Sequence, residues 1–152
     1  MTDRHRRQIL LGGLATPFVL ALGPARATPE TMQTAIDGFT GGAEVLDGRV
    51  TLKIPLLVEN GNSVPLLVRA DSPMTEADHV TEIAIFNEIN PLPDTVRFRF
   101  TPRSGLAEAE TRIRLNGTQS VHAIARMSDG TFWTAATTVV VTAPACEEVI
   151  PT

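Results

Sequence analysis

The sequence predicts an all-β protein: an immunoglobulin-like antiparallel sandwich of about seven strands, with a short N-terminal helix and a cysteine-bearing C-terminal tail. Three observations carry this. Short runs alternate apolar and polar residues with the two-residue period of half-buried strands. Segments rich in Gly, Pro, Asn and Asp divide those runs at short, regular spacing. The chain holds a single cysteine, so no internal disulfide joins the sheets and the core must hold through apolar packing.

The first 27 residues stand apart from that pattern. "MTDRHRRQIL LGGLATPFVL ALGPARA" has a basic head, an uncharged apolar stretch from Ile9 to Leu22, and the small-residue site Ala25-Arg26-Ala27. This is the layout of an export signal, with an apolar run short for a membrane span. Arg6-Arg7, followed by Gln8, Ile9 and Leu10, fits the twin-arginine type, the alternative being a Sec signal with two neighbouring arginines. Cleavage after Ala27 would leave Thr28 to Thr152, 125 residues, enough for one core. The signal removes Asp3 and four arginines, so the 13 basic and 17 acidic residues of the whole chain fall to nine and sixteen. A mature net charge of −7 gives no electrostatic footprint for nucleic acid. The expected organisation is a signal over 1–27, a sandwich over 28–142 and an arm over 143–152, in a soluble, periplasmic protein with no membrane anchor.

After a helix candidate from Glu30 to Phe39 come the strands. In "RVTLKI", Val50, Leu52 and Ile54 oppose Thr51 and Lys53. Asn60-Gly61 in "ENGNS" signals a turn before "VPLLVRA". "VTEIAIF" follows, and then "TVRFRF", where Val96, Phe98 and Phe100 face one way and Arg97 and Arg99 the other. "AEAETRIRL" separates Ile113 and Leu115 from Arg112 and Arg114, and "SVHAIARM" and "TFWTAATTVVVT" close the domain. The dividers "NEINPLPD", "TPRSG", "NGTQ" and "SDG" are turn-rich, and Asn116-Gly117-Thr118 reads as a hairpin turn that also matches a glycosylation acceptor.

The domain offers little chemistry. His79 lies in a polar loop and His122 on a strand, with no ligand spacing for a metal. Glu76, Asp78 and Glu82 read as one loop region, and Glu108 and Glu110 share a strand face that could lie near arginines of a neighbouring strand. A solvated face is the simpler reading than a general acid–base pair. No phosphate loop or nucleophile–base pairing is present. The domain predicts neither an enzyme nor a cofactor, and Trp133 and the phenylalanines read as core.

Several stretches together resemble the SoxY family, the sulfur-carrier subunits of the bacterial thiosulfate-oxidising (Sox) system. "VTLKIPLLVENGNSVPLLVRADSPMTEADHV" is similar to that family's first hairpin and loop. "FNEINPLPDTVRFRFTP" resembles its Asn-Pro-x-Pro connection, and "AEAETRIRLNGTQSVHAIARMSDGTFWTAATTVVVT" its closing hairpins, together covering roughly 40 to 142. The resemblance implies an immunoglobulin-like subunit, a twin-arginine signal and a heterodimer with a SoxZ-like subunit. It also implies a cysteine that bears sulfur intermediates covalently and presents them to separate enzymes. Those enzymes are a c-type cytochrome, a sulfate-releasing hydrolase and a sulfane dehydrogenase. The carrier itself is not the catalyst.

The family's cysteine maps onto Cys146, but its Gly-Gly-Cys-Gly-Gly surroundings are absent. Pro144 and Ala145 precede Cys146, and Glu147, Glu148, Val149, Ile150, Pro151 and Thr152 follow it. Glycine gives a slim, mobile backbone, whereas Pro144 fixes its own φ and pushes Ala143 towards extension. From Thr142 to Cys146 is about 13 Å at full extension. Glu147 and Glu148 disfavour the thiolate, raising the thiol above its usual ~8.5. Three readings stay open: a carrier serving differently shaped enzymes, a diverged interaction subunit whose Cys146 is a remnant or an interchain disulfide, and an inert thiol.

Overall fold

The computed structural model describes residues 27–145. The expected signal, with Arg6 and Arg7, and the expected attachment point Cys146 lie outside the described residues. Within them, helix α1 (Pro29–Thr40) precedes nine strands: β1 (Val45–Asp47), β2 (Val50–Lys53), β3 (Leu57–Val58), β4 (Val64–Ala70), β5 (Val80–Asn87), β6 (Asp94–Arg99), β7 (Ala107–Ile113), β8 (Gln119–Met127) and β9 (Phe132–Val141). β1, β9, β8, β5 and β6 form the larger sheet in that order, with β3 also on β9, and β2, β4 and β7 form the smaller. The all-β immunoglobulin-like sandwich predicted from the periodicity is the observed architecture.

The seven long runs are strands as expected, with two additions. β1 and β3 are short and pair parallel with the two ends of β9, Val45 opposite Phe132 and Leu57 opposite Val140. A strand of two or three residues leaves too little periodicity to see in a sequence. β5 and β6 pair as one hairpin, and β8 and β9 close as a tighter one over Ser128-Asp129-Gly130, where Gly130 has φ 85° and Thr131 N–H donates to Asp129 Oδ1 at 2.8 Å. The expected hairpin at Asn116-Gly117-Thr118 is instead a crossover between sheets, because β7 pairs with β4 and β8 with β5 and β9.

The alternation sorts side chains into two apolar layers. Val64, Leu66 and Val68 of β4 meet Ile83 and Ile85 of β5 and Val121, Ala123 and Ala125 of β8 between the sheets. On the other side of the larger sheet, Met32, Ile36 and Phe39 of α1 cover Ala84, Phe86, Ile124 and Phe132. With both faces covered, β5 is buried almost throughout. Thr28 caps α1 by accepting from Thr31 N–H, Pro29 occupies the first turn, and Gly41 ends it with φ 67°. Ala27 is buried and its N–H donates to Asn90 O at 2.8 Å, so the residue before the expected cleavage point is packed into the domain.

Glu82 corrects the loop reading. It sits on β5 with its side chain 8% exposed, on the α1 side of the sheet. Arg126 Nη1 lies 3.4 Å from its Oε2, and Arg99 Nε and Arg97 Nη1 lie 3.7 and 4.0 Å from Oε1. Arg126 also donates from Nη2 to Phe39 O at 2.7 Å and stacks 4.5 Å from the Phe39 ring centre. One guanidinium therefore neutralises a buried carboxylate, satisfies a helix C-terminal carbonyl and covers an aromatic face. This cluster locks α1 to the sheet.

Candidate functional site: the root of the cysteine arm

β9 delivers the chain to the arm, and its last residues are held on both sides. Val141 N–H donates to Thr118 Oγ1 at 3.0 Å, and Thr142 N–H to Val58 O at 3.0 Å. The next three residues enter a ring of backbone hydrogen bonds. Gly61 N–H donates to Ala143 O at 2.8 Å, Leu115 N–H to Gly61 O at 2.8 Å, and Ala145 N–H to Leu115 O at 3.1 Å. The segment 143–145 is thus clamped between the β3–β4 and β7–β8 connections. The 13 Å counted from Thr142 is not free chain: both residues flanking Pro144 are bonded to the domain. Pro144, with no N–H to satisfy, fits between them.

Gly61 makes the clamp possible through space rather than conformation. Its φ is not in the left-handed region. A Cβ built on it would overlap the Leu115 carbonyl oxygen and come within 3.1 Å of Ala145 N and 3.2 Å of a Val141 methyl. Any side chain there would push apart the two connections that hold the root. The Asn60-Gly61 pair therefore signals more than the turn read from it.

A buried amide supports the Leu115 side. Asn90 donates from Nδ2 to Arg114 O at 2.8 Å, and its Oδ1 accepts from Asn116 N–H and Gln119 Nε2, each at 3.0 Å. With Asn90 and Gln119 both nearly inaccessible, these bonds hold the β7–β8 crossover rigid. Sequence reasoning missed Asn90, Leu115 and the clamp role of Gly61, since all three depend on loops meeting that are far apart in the chain.

The other candidates do not converge. Glu108 pairs in register with Arg69, as a neighbouring-strand arginine was expected, but Arg69 makes its ion pair with Asp71 at 3.3 Å. His79 stays in its loop, its N–H donating to Ser128 Oγ. His122 lies on β8 opposite Phe86, half-buried, and burial pushes its imidazole below the usual range against the opposing pull of Glu88. Among the described residues no group of three or more His, Cys, Asp or Glu is placed to hold a metal, and no helix is long and apolar enough to cross a membrane.

The fold and the held root define the class: an immunoglobulin-like sandwich with residues 143–145 bonded to loops at one end. The family model described as Sulfur oxidation protein SoxY matches residues 36–146, so its last matched residue is Cys146. The chain belongs to the SoxY family. Membership places it generally among the carrier subunits of sulfur oxidation rather than among the enzymes. No curated protein matches the chain. Its sandwich is similar to the superoxide reductase (neelaredoxin) of Ignicoccus hospitalis, at 17% identity over 80% of this chain and 98% of that one, with a TM-score of 0.55. The superoxide reductase of Nanoarchaeum equitans, at 12% identity over 63% of this chain and 100% of that one, has a TM-score of 0.54. At these identities the likeness shows a shared fold.

Proposed function

We propose that this chain is a periplasmic, non-catalytic carrier that holds sulfur intermediates covalently on Cys146 during thiosulfate oxidation. Its export follows the twin-arginine route through Arg6 and Arg7, and it works as a heterodimer with a SoxZ-like subunit. The observation that carries the reading is the end of the family match on Cys146, one residue beyond a root that the domain holds in place.

The chemistry needs only a thiolate. Joining the Cys146 sulfur to the outer sulfur of thiosulfate forms an S–S bond, releases the thiol proton and yields two electrons, which a separate c-type cytochrome accepts. A hydrolase then adds water across the S–SO₃ bond, releasing sulfate and leaving a persulfide on Cys146 for a sulfane dehydrogenase. The carrier's part is to present one sulfur atom to each enzyme in turn, and it needs no cofactor of its own.

A second reading is favoured by the residues around the thiol. Pro144, Ala145, Glu147 and Glu148 replace flexible, uncharged glycines, which suits an interaction subunit that keeps the domain and no longer carries sulfur. A Cys146→Ser strain separates the two. Carriage predicts that thiosulfate consumption stops, with the variant still exported and folded; an interaction subunit predicts unchanged consumption.

A further inference from the structure

The chain holds two Asn-Gly pairs, Asn60-Gly61 and Asn116-Gly117, and the fold treats them oppositely. Such a pair carries its own reaction, because glycine has no side chain to shield its backbone nitrogen. Once that nitrogen gives up its proton to water, it attacks Cγ of the preceding asparagine. A C–N bond forms, Nδ2 departs as ammonia, and a cyclic imide remains. Water then opens the imide at either carbonyl, giving aspartate or isoaspartate, and no other reactant is needed.

Exposure alone favours reaction at Asn60, which is open to solvent, over Asn116, which is half-buried. The hydrogen bonds reverse that order. Gly61 N–H donates to Ala143 O at 2.8 Å, so the attacking nitrogen of the first pair belongs to the clamp. The Asn60 amide is engaged as well, its Oδ1 accepting from Asn62 N–H and Asn62 Nδ2, each at 2.9 Å. In the second pair, neither Gly117 N–H nor the Asn116 side-chain amide has a hydrogen-bond partner among the described residues. Glycine is nevertheless required there, since Gly117 has φ 118° and a Cβ on it would come within 3.1 Å of Ile89 Cδ1. The backbone of the crossover thus imposes the labile pair.

We propose that Asn116-Gly117 is a self-modifying site whose conversion to isoaspartate slackens the arm root, while the closed clamp protects Asn60-Gly61 from the same reaction. Isoaspartate routes the main chain through the former side-chain carbonyl and adds one methylene between Leu115 and Gly117. Leu115 donates to Gly61 O and accepts from Ala145 N–H, so the added length falls directly beside the clamp. Asn116 N–H is also the group that Asn90 Oδ1 holds at 3.0 Å, and the lengthened chain strains that bond too. The effect is independent of what Cys146 bears.

The test ages the unaltered chain in mildly alkaline buffer, both folded and in urea, while peptide mapping follows aspartate and isoaspartate at each pair. In urea the two pairs should convert at comparable rates. In the folded chain Asn60 should convert about ten-fold or more slowly than Asn116, because the clamp must open first. Equal conversion of the two pairs in the folded chain, or faster conversion of Asn60, overturns the proposal. The isoaspartate form, separated by anion exchange, is then compared with the fresh chain by hydrogen exchange. Exchange at Ala145 should rise about ten-fold or more, with Ile124 in β8 unchanged. Unchanged exchange at Ala145 overturns the slackening. Asn116→Asp adds the carboxylate without the methylene and should keep Ala145 protected, and equal loosening there overturns the role of chain length. Asn116→Gln, whose imide would need a larger ring, should age without change. An equal rise at Ala145 in aged Asn116→Gln would assign the loosening elsewhere and overturn the site.

Discussion

The outer face of the larger sheet is treated in two ways along its length. One half, at Ala84, Phe86, Ile124 and Phe132, lies under α1 and is sealed by the arginines around Glu82. The other half, at Leu57 and Val140, is exposed and is more polar, since Ser120, His122 and Thr138 share that face by strand alternation. The covered half supplies stability, and the bare half sits beside the root that leads to Cys146. The difference teaches that apolar residues on one sheet face need not contribute equally: covering decides which of them hold the domain together.

Substitution should separate the halves sharply. Phe86, fully buried between α1 and the larger sheet, should cost about 3–5 kcal/mol when changed to Ala, through lost burial and a residual cavity. Leu57→Ala on the bare half should stay within about 0.5 kcal/mol. Chemical denaturation of both variants checks the pair, and comparable losses would mean that the bare half is also structural.

A smaller effect is expected at the root. Gly61→Ala should cost about 1–3 kcal/mol, as overpacking does, because its Cβ meets backbone rather than a movable side chain. Hydrogen exchange at Ala145 should accelerate far more than that at β8, since the clamp opens while the sheet persists. Equal acceleration at both sites would show the clamp to be no separate unit.

The smallest effect is a pH dependence. Burial lowers the His122 pKa in the folded state, so the unfolded chain takes up this proton first as pH falls. The contribution of His122 is therefore fully present above its unfolded value of about 6.5 and declines as pH drops through it. His122→Gln should flatten that part of the stability profile. A profile unchanged by the substitution would assign the slope to other groups.

Most of the fold was legible because the long strands keep their period over six or more residues, as Val96, Phe98 and Phe100 do against Arg97 and Arg99. β1 and β3 were not, being too short to show alternation and made strands only by the β9 edge. Glu82 was misplaced because a carboxylate next to Thr81, close to a polar loop, gives no hint of three arginines arriving from β6 and β8. At the site, Cys146 stood out as the only cysteine, and its departures from the family arm were visible in the chain itself. The clamp was not: Gly61, Leu115 and Ala145 meet only after two sheets have formed, and backbone hydrogen bonds leave no trace in side-chain identity.

The use to which this domain is put turns on whether Cys146 carries sulfur. The most direct measurement is the intact mass of the chain isolated from thiosulfate-oxidising cells, with and without reductant. Carriage predicts a population bearing reductant-labile sulfane or thiosulfonate additions, absent from Cys146→Ser. A single unmodified mass in cells actively consuming thiosulfate would contradict it.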